Sequence, residues 1–174
     1  MRHGNPFALS LLAAAATLPA QANDWSGLRV YEAANPANGV PTPIVCGSAF
    51  SCTPASFTIP TGSPMSFLVM GELNGFYAIA ASFDLPNLGC LPLGVPGLAH
   101  MLALPPGSLV TMALGLTATS DNGRCNGGVD VLAGLFAIPS GFPSGALAFQ
   151  AISSTPLSVG GSGFALSNTV VVNW

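Results

Sequence analysis

The sequence predicts an all-β protein: a single disulfide-stapled antiparallel β-sandwich of about eight or nine strands. Three observations carry that expectation. Apolar runs of strand length recur roughly every 10 residues, with Gly, Pro, Asn and Ser between them. The last run alternates: Phe164, Leu166, Val170, Val172 and Trp174 fall on one face. Ala165, Ser167, Thr169, Val171 and Asn173 fall on the other, with Asn168 as the exception on the apolar face. Four cysteines, Cys46, Cys52, Cys90 and Cys125, stand in a chain that opens like an exported one, where an even count reads as two disulfides.

The N-terminus sets the compartment. Arg2 and His3 precede an uncharged apolar stretch from Pro6 to Leu18, and Pro19 and Ala20-Gln21-Ala22 follow. That order is a secretory signal peptide over residues 1–22, with cleavage expected before Asn23. An apolar stretch of about 13 residues is too short for a bilayer that needs about 20. No cysteine stands at the cleavage point to carry a lipid. Residues 23–174 are then expected to form one domain, secreted or displayed at the cell surface.

Along that domain the expected strands are Leu28–Ala33, Ala55–Ile59, Met65–Glu72, Phe76–Phe83, Leu98–Leu104, Leu109–Thr117, Val129–Ile138, Ala146–Ser153 and Phe164–Asn173. Met65–Glu72 and Val129–Ile138 are apolar almost throughout, as strands covered on both faces are. Leu73-Asn74-Gly75, Pro105-Pro106-Gly107, Asp121-Asn122-Gly123 and Gly160-Gly161-Ser162-Gly163 read as turns. Asn-Gly and Gly-Gly supply the positive φ of tight hairpins. Cys46–Cys52 is the favoured local pair across a turn-rich segment, leaving Cys90–Cys125, although four cysteines allow three pairings. Zinc is disfavoured, because neither a Cys-x-x-Cys nor a nearby His supports it.

Charge is scarce. Charged residues make up 5% of the chain, against about 25% in an ordinary soluble domain. After residue 22 there are Arg29 and Arg124 against Asp24, Glu32, Glu72, Asp84, Asp121 and Asp130, and no lysine at all. Nucleic acid is excluded as a partner, since phosphate neutralisation needs clustered Lys and Arg. Docking on anionic lipid fails for the same reason. A surface of hydroxyls, Gly, Pro and Asn offers little repulsion between copies, and uncharged sheet edges are templates for pairing. Self-association through sheet edges is therefore the expected mode of partnership.

The aromatic C-terminus after an alternating strand raises a small outer-membrane β-barrel as an alternative. All but two of the 16 prolines fall after the signal segment, which leaves few clean strands of the 9–11 residues, roughly, that such a barrel needs.

No catalytic or metal-binding constellation emerges, and neither an enzyme nor a cofactor is expected. His100 lies among apolar neighbours with no nucleophile elbow to serve, and Gly160–Gly163 is a glycine turn. Glu72 and Asp84 flank one expected hairpin but at its opposite ends, unsuited to paired-carboxylate hydrolysis. The polar stretch Asp121–Asp130 has oxygens that calcium favours, but Arg124 stands within it, and it reads as a hairpin tip pinned by Cys125. Trp25, Tyr31, Phe76, Tyr77 and Phe142 could build a stacking platform for carbohydrate. Trp25 and Phe142 are the two nearest expected loops.

The stretch Ile138-Pro-Ser-Gly-Phe-Pro-Ser-Gly-Ala-Leu-Ala-Phe-Gln150, followed by Phe164-Ala-Leu-Ser-Asn168, resembles the end of an exported β-module. That module recurs in secreted and cell-surface proteins of large-genome Gram-negative bacteria. Leu104-Pro-Pro-Gly107 resembles its proline-glycine turn, whereas Thr155-Pro-Leu-Ser158 stands where the module usually carries an acidic residue and alanines. The resemblance spans some 70–80 residues. It implies an extracellular β-sandwich, often appended to other modules, with no activity to transfer. Gln150 and Asn168, amides in apolar strands, should then be hydrogen-bonded across the sheet in a structural role. The composite expectation is an exported structural or self-associating protein. The alternatives are a secreted binding module for carbohydrate or a protein partner, and the small barrel.

Overall fold

Alternating and doubly apolar runs form strands because each buries one or both faces of a pleated backbone. The computed structural model describes residues 26–40, 54–83, 85, 109–120, 127–155 and 163–174. Every regular element among them is a strand: β1 (Gly27–Glu32), β2 (Asn35–Gly39), β3 (Ala55–Thr58), β4 (Pro64–Glu72), β5 (Phe76–Ser82) and β6 (Val110–Leu116). There follow β7 (Thr119–Ser120), β8 (Gly127–Ala137), β9 (Ala146–Ser154), β10 (Phe164–Leu166) and β11 (Val170–Asn173).

They form two sheets, one ordered β2-β1-β4-β8-β7 and the other β3-β11-β9-β5-β6, with β10 added on β9. The sheets stack face to face around one core. Leu28, Val30, Met65, Phe67 and Val69 fill it from the first sheet, and Ile79, Leu147, Phe149, Val170 and Val172 from the second. Phe67 and Phe149 meet edge to face across it, centroids 5.0 Å apart at 72°.

Three features differ from the sequence expectation. The described strands number eleven rather than eight or nine, because Asn35–Gly39 and Thr119–Ser120 pair without an apolar pattern, and the last run divides. The pairing is mixed rather than purely antiparallel: β11 runs parallel to β3, from Val170↔Ala55 to Asn173↔Thr58. Finally, Leu73-Asn74-Gly75 is a corner between sheets and not a hairpin, since β4 and β5 belong to different sheets. Asn74 does take φ 61 there.

A second corner, Thr117-Ala118, carries the chain back from β6 to β7. Thr117 joins the two corners. Its hydroxyl donates to the carbonyls of Glu72 and Gly75, its N–H to the Gly75 carbonyl at 3.0 Å, and its carbonyl accepts from Asn74 at 2.9 Å. Thr117 is wholly buried, so these bonds satisfy backbone groups that water cannot reach.

The division of the last run moves its side chains. In β10, Phe164 and Leu166 lie opposite Ser154 and Ile152 of β9. In β11, Val170 and Val172 lie opposite Phe149 and Leu147. The β9 residues in these two pairings have opposite parity, so Phe164 and Leu166 take the outer face of the sheet and Val170 and Val172 the core. The irregular segment Ser167–Thr169 absorbs the change. The expected single apolar face therefore does not exist.

Cys46, Cys52, Cys90, Cys125, Trp25, Asp84 and His100 lie outside the described residues, as does the expected strand Leu98–Leu104.

Candidate functional site

The two long sides of the sandwich are closed differently. On one side β2 lies beside β3, and side chains cap the edge carbonyls. The Asn38 amide donates to the Thr58 carbonyl of β3 at 3.2 Å and to a Glu32 carboxylate oxygen at 2.9 Å. The Arg29 guanidinium donates to the Pro36 carbonyl at 2.6 Å and lies 4.9 Å from the centre of the Tyr31 ring. The Asn173 amide donates to the Phe57 carbonyl at 3.3 Å, on the β11 side of β3 and not at its edge. Pro36 itself has no N–H to offer a further strand. Side-chain caps, proline and charge are the usual means of blunting an edge.

The other side carries none of these among the described residues. There β6 lies over β8. Strand β6 has one neighbour, β5, and β7 covers only Gly128 and Val129 of β8. The sequence Val110-Thr-Met-Ala-Leu-Gly-Leu116 contains no charge and no proline. Leu114 and Leu116 are 62% and 52% exposed, and Val131 of β8 is 50% exposed. Leu114 and Leu116 share the outer face of their sheet with Phe76 and Ala78, their register partners. Val131, opposite Leu68, opens on the outer face of the other sheet. Among the described residues, apolar side chains thus flank this side from both outer faces.

Tyr77 and Asp130 close the interior near that side. Both point inward, one from each sheet: Tyr77 is fully buried, and Asp130 stands opposite Val69 on β8. The phenol donates to a carboxylate oxygen at 2.5 Å. Burial first, then the hydrogen bond and charge of Asp130, holds the phenol well above its ordinary value of 10.0. It is a protonated donor, not a nucleophile. Gly115, opposite Tyr77, leaves room for the ring: a Cβ there would sit 2.5 Å from Oη and 2.6 Å from Cζ. Asp130 is accordingly part of a strand and a cross-sheet bond, not of an oxygen-rich loop tip.

The two amides sit in one network. Gln150, buried on the outer parity of β9, donates through Nε2 to the Ser167 carbonyl at 2.9 Å. Its Oε1 has no partner among the described residues. The Ser167 hydroxyl accepts from the Ala151 N–H and donates to the Asn168 carbonyl, both at 2.8 Å. Asn168 bonds outside its own sheet: Oδ1 accepts from the Leu28 N–H at 3.1 Å, and Nδ2 donates to the Leu28 carbonyl at 3.0 Å. The amide thereby pairs with β1 much as a strand residue would. This accounts for the one polar residue on the expected apolar face.

The described aromatics of the expected stacking platform are not brought together. Tyr77 is in the interior, Tyr31 lies under Arg29, and Phe76 belongs to the open β6 side. Phe142 instead pairs with Trp174, which follows β11, at a centroid distance of 6.4 Å and a tilt of 48°. The Trp174 indole donates to the Pro143 carbonyl at 2.7 Å, and its backbone N–H to the Gly145 carbonyl at 3.1 Å. Gly145 is required beneath it, since a Cβ would lie 2.7 Å from the indole. Glycine before β9 and tryptophan after β11 were the sequence signal for this contact.

Among the described residues no group of three or more His, Cys, Asp or Glu could hold a metal ion. No helix among them is long and apolar enough to cross a membrane. Compared with known protein families, curated proteins and solved structures, the chain has no match in any of the three.

Proposed function

We propose that this is an exported structural protein, secreted or held at the cell surface, that associates with its own copies and performs no catalysis. The observation that carries the reading is the uncharged, apolar β6–β8 side set against the capped β2–β3 side. An open strand edge is a template for another strand, and little charge on either copy opposes the approach. The N-terminal signal pattern supports export. The two expected disulfides, Cys46–Cys52 and Cys90–Cys125, would suit an oxidising compartment. Hydrogen-bonded Gln150 and Asn168 fit the structural role expected of them. Two stacked sheets with an apolar interior favour a sandwich over a transmembrane barrel, whose strands share one closed ladder.

The test is expression with the native leader in a Gram-negative host. The exported chain should begin at Asn23, contain no free thiol, and yield cross-linked species above monomer mass that increase with its concentration. Retention of residues 1–22 in the cytoplasm, or a monomer band alone at every concentration, would overturn the reading.

A second reading, a carbohydrate-binding module, rests on the Phe142–Trp174 pair. Phe142 is half exposed, and the ring beside it is fixed by two backbone bonds, which suits stacking against a sugar face. Oligosaccharides should then shift tryptophan emission in the parent and not in Phe142→Ala. A flat response across a glycan panel would remove this reading.

A further inference from the structure

The break between β10 and β11 is a bulge, and it brings two buried polar side chains together. Leu166 stands opposite Ile152 of β9, and Val170 stands opposite Phe149. Between those pairs lie Ser167, Asn168 and Thr169 on one side, but only Ala151 and Gln150 on the other. An extra residue against a partner strand is a β-bulge. Ser167 takes the place opposite Ala151: its N–H donates to the Ala151 carbonyl and its hydroxyl accepts from the Ala151 N–H, both at 2.8 Å. The Asn168 amide is turned to Leu28 of the first sheet. Thr169, next before Val170 in the register of β11, then falls opposite Gln150.

Both side chains are sealed from solvent, Gln150 at 1% exposure and Thr169 at 0%. The Gln150 amide has a fixed direction. Its Nε2 donates to the Ser167 carbonyl, and the reversed amide would set oxygen against oxygen. The Thr169 carbonyl accepts from the Ala55 N–H at 3.1 Å, so the hydroxyl is what remains to be satisfied. Among the described residues neither Gln150 Oε1 nor Thr169 Oγ1 has a hydrogen-bond partner, and the two are not bonded to each other.

We infer that one internal water molecule bridges Oε1 of Gln150 and the hydroxyl of Thr169, as an integral part of the bulge. Buried polar atoms are bonded to protein or to ordered water, and internal waters occupy sites with two or more polar partners. Oε1 only accepts, and a water donates to it; the hydroxyl can donate to that water or accept from it. An apolar occupant would leave both oxygens unbonded. Both oxygens are neutral and no carboxylate belongs to the bulge, so the site suits water and not a hard cation. The water holds β11 to β9 at the point where the ladder is interrupted and the apolar side chains change faces. The inference is independent of self-association.

The experiment compares the parent with Thr169→Val and Thr169→Ser. Magnetic relaxation dispersion of the solvent counts long-lived internal waters, and denaturant unfolding gives stability. Thr169→Val should show one long-lived water fewer than the parent. Its folding equilibrium constant should fall about fivefold, the weight of one hydrogen bond. Thr169→Ser keeps the hydroxyl and should keep the water, whatever the lost methyl costs. A truly unbonded hydroxyl gives the opposite sign, because a valine of the same shape would then leave stability unchanged or raise it. That sign, or an unchanged count of waters, overturns the inference. Should Thr169→Val not fold, a crystal structure of the parent decides. Density for a water within hydrogen-bond distance of both oxygens supports the bridge, and a protein donor on Oε1 or a direct Gln150–Thr169 bond overturns it.

Discussion

The Tyr77 phenol and the Asp130 carboxylate meet across the interior of the sandwich, 2.5 Å apart, each carried by a different sheet. They are 53 positions apart in the chain, so the bond ties one sheet to the other near β6 and β8. A hydrogen bond to an ionised group contributes roughly 1.5–3 kcal/mol, and more is lost when the surviving partner stays buried. Tyr77→Phe should therefore destabilise the protein by about 2 kcal/mol in denaturant unfolding. In a double-mutant cycle with Asp130→Asn the two losses should be strongly non-additive. Additive losses would show that the bond contributes nothing of its own.

The same bond sets an alkaline limit. The folded-state pKa of Tyr77 lies above its unfolded value, so the neutral phenol is the form that folding favours. Its contribution is fully present below about pH 10 and is lost as pH rises from there through the elevated folded value. Unfolding free energy should fall above pH 10 more steeply in the parent than in Tyr77→Phe. Tyrosinate absorbance in the native protein should lag that of the denatured chain. Identical alkaline profiles for parent and variant would contradict this.

Gly115 is predicted to resist the most conservative substitution. Gly→Ala in an ordinary backbone conformation often stabilises by about 0.4–1 kcal/mol through the unfolded state. Here the added methyl meets the Tyr77 ring, and overpacking of this kind costs roughly 1–3 kcal/mol. Gly115→Ala should be net destabilising, with the midpoint lowered and the slope of the denaturant transition unchanged. A stabilised variant would mean that the ring can move aside freely.

Asn168 should prove selective about its amide. Asn168→Ala leaves both the N–H and the carbonyl of Leu28 without their partner, a loss of about 2 kcal/mol or more. Asn168→Asp still accepts from the N–H but cannot donate to the carbonyl, and places two acceptors face to face. It should be no better than Ala at neutral pH, and should recover part of the loss in acid, where the carboxyl regains a donor. Unfolding curves at neutral and acidic pH, compared with the parent, decide this.

What the sequence makes legible follows from what each signal measures. Strands β4, β5, β8 and β9 coincide closely with their apolar runs, but burial is the reason only in β4, β5 and β9. Strand β8 is apolar yet largely exposed from Val131 to Ala137, so the expectation that it is covered on both faces fails. Asn35–Gly39 carries no such signal; it is a strand only because β1 holds it, with Arg29 on its Pro36 carbonyl. The positive φ of Asn74 was readable from Asn-Gly, but a turn residue does not say whether the next strand joins the same sheet. The break at Ser167–Thr169 left one trace, Asn168 out of phase, whose meaning depended on Leu28 at the far end of the chain. Asp130 looked like part of a polar loop for the same reason: its partner lies on another strand and another sheet. The sequence of β6 shows its lack of charge, but not that β5 is its one neighbour among the described residues, since strand order is decided by topology.

The central claim is that copies of this protein associate, and the molar mass of the mature, oxidised chain tests it most directly. Light scattering after size-exclusion chromatography, run from low to high concentration, should give a mass that rises above that of the monomer as concentration increases. A monomer mass that stays constant over the whole series would contradict the account and turn attention to ligands for the Phe142–Trp174 pair.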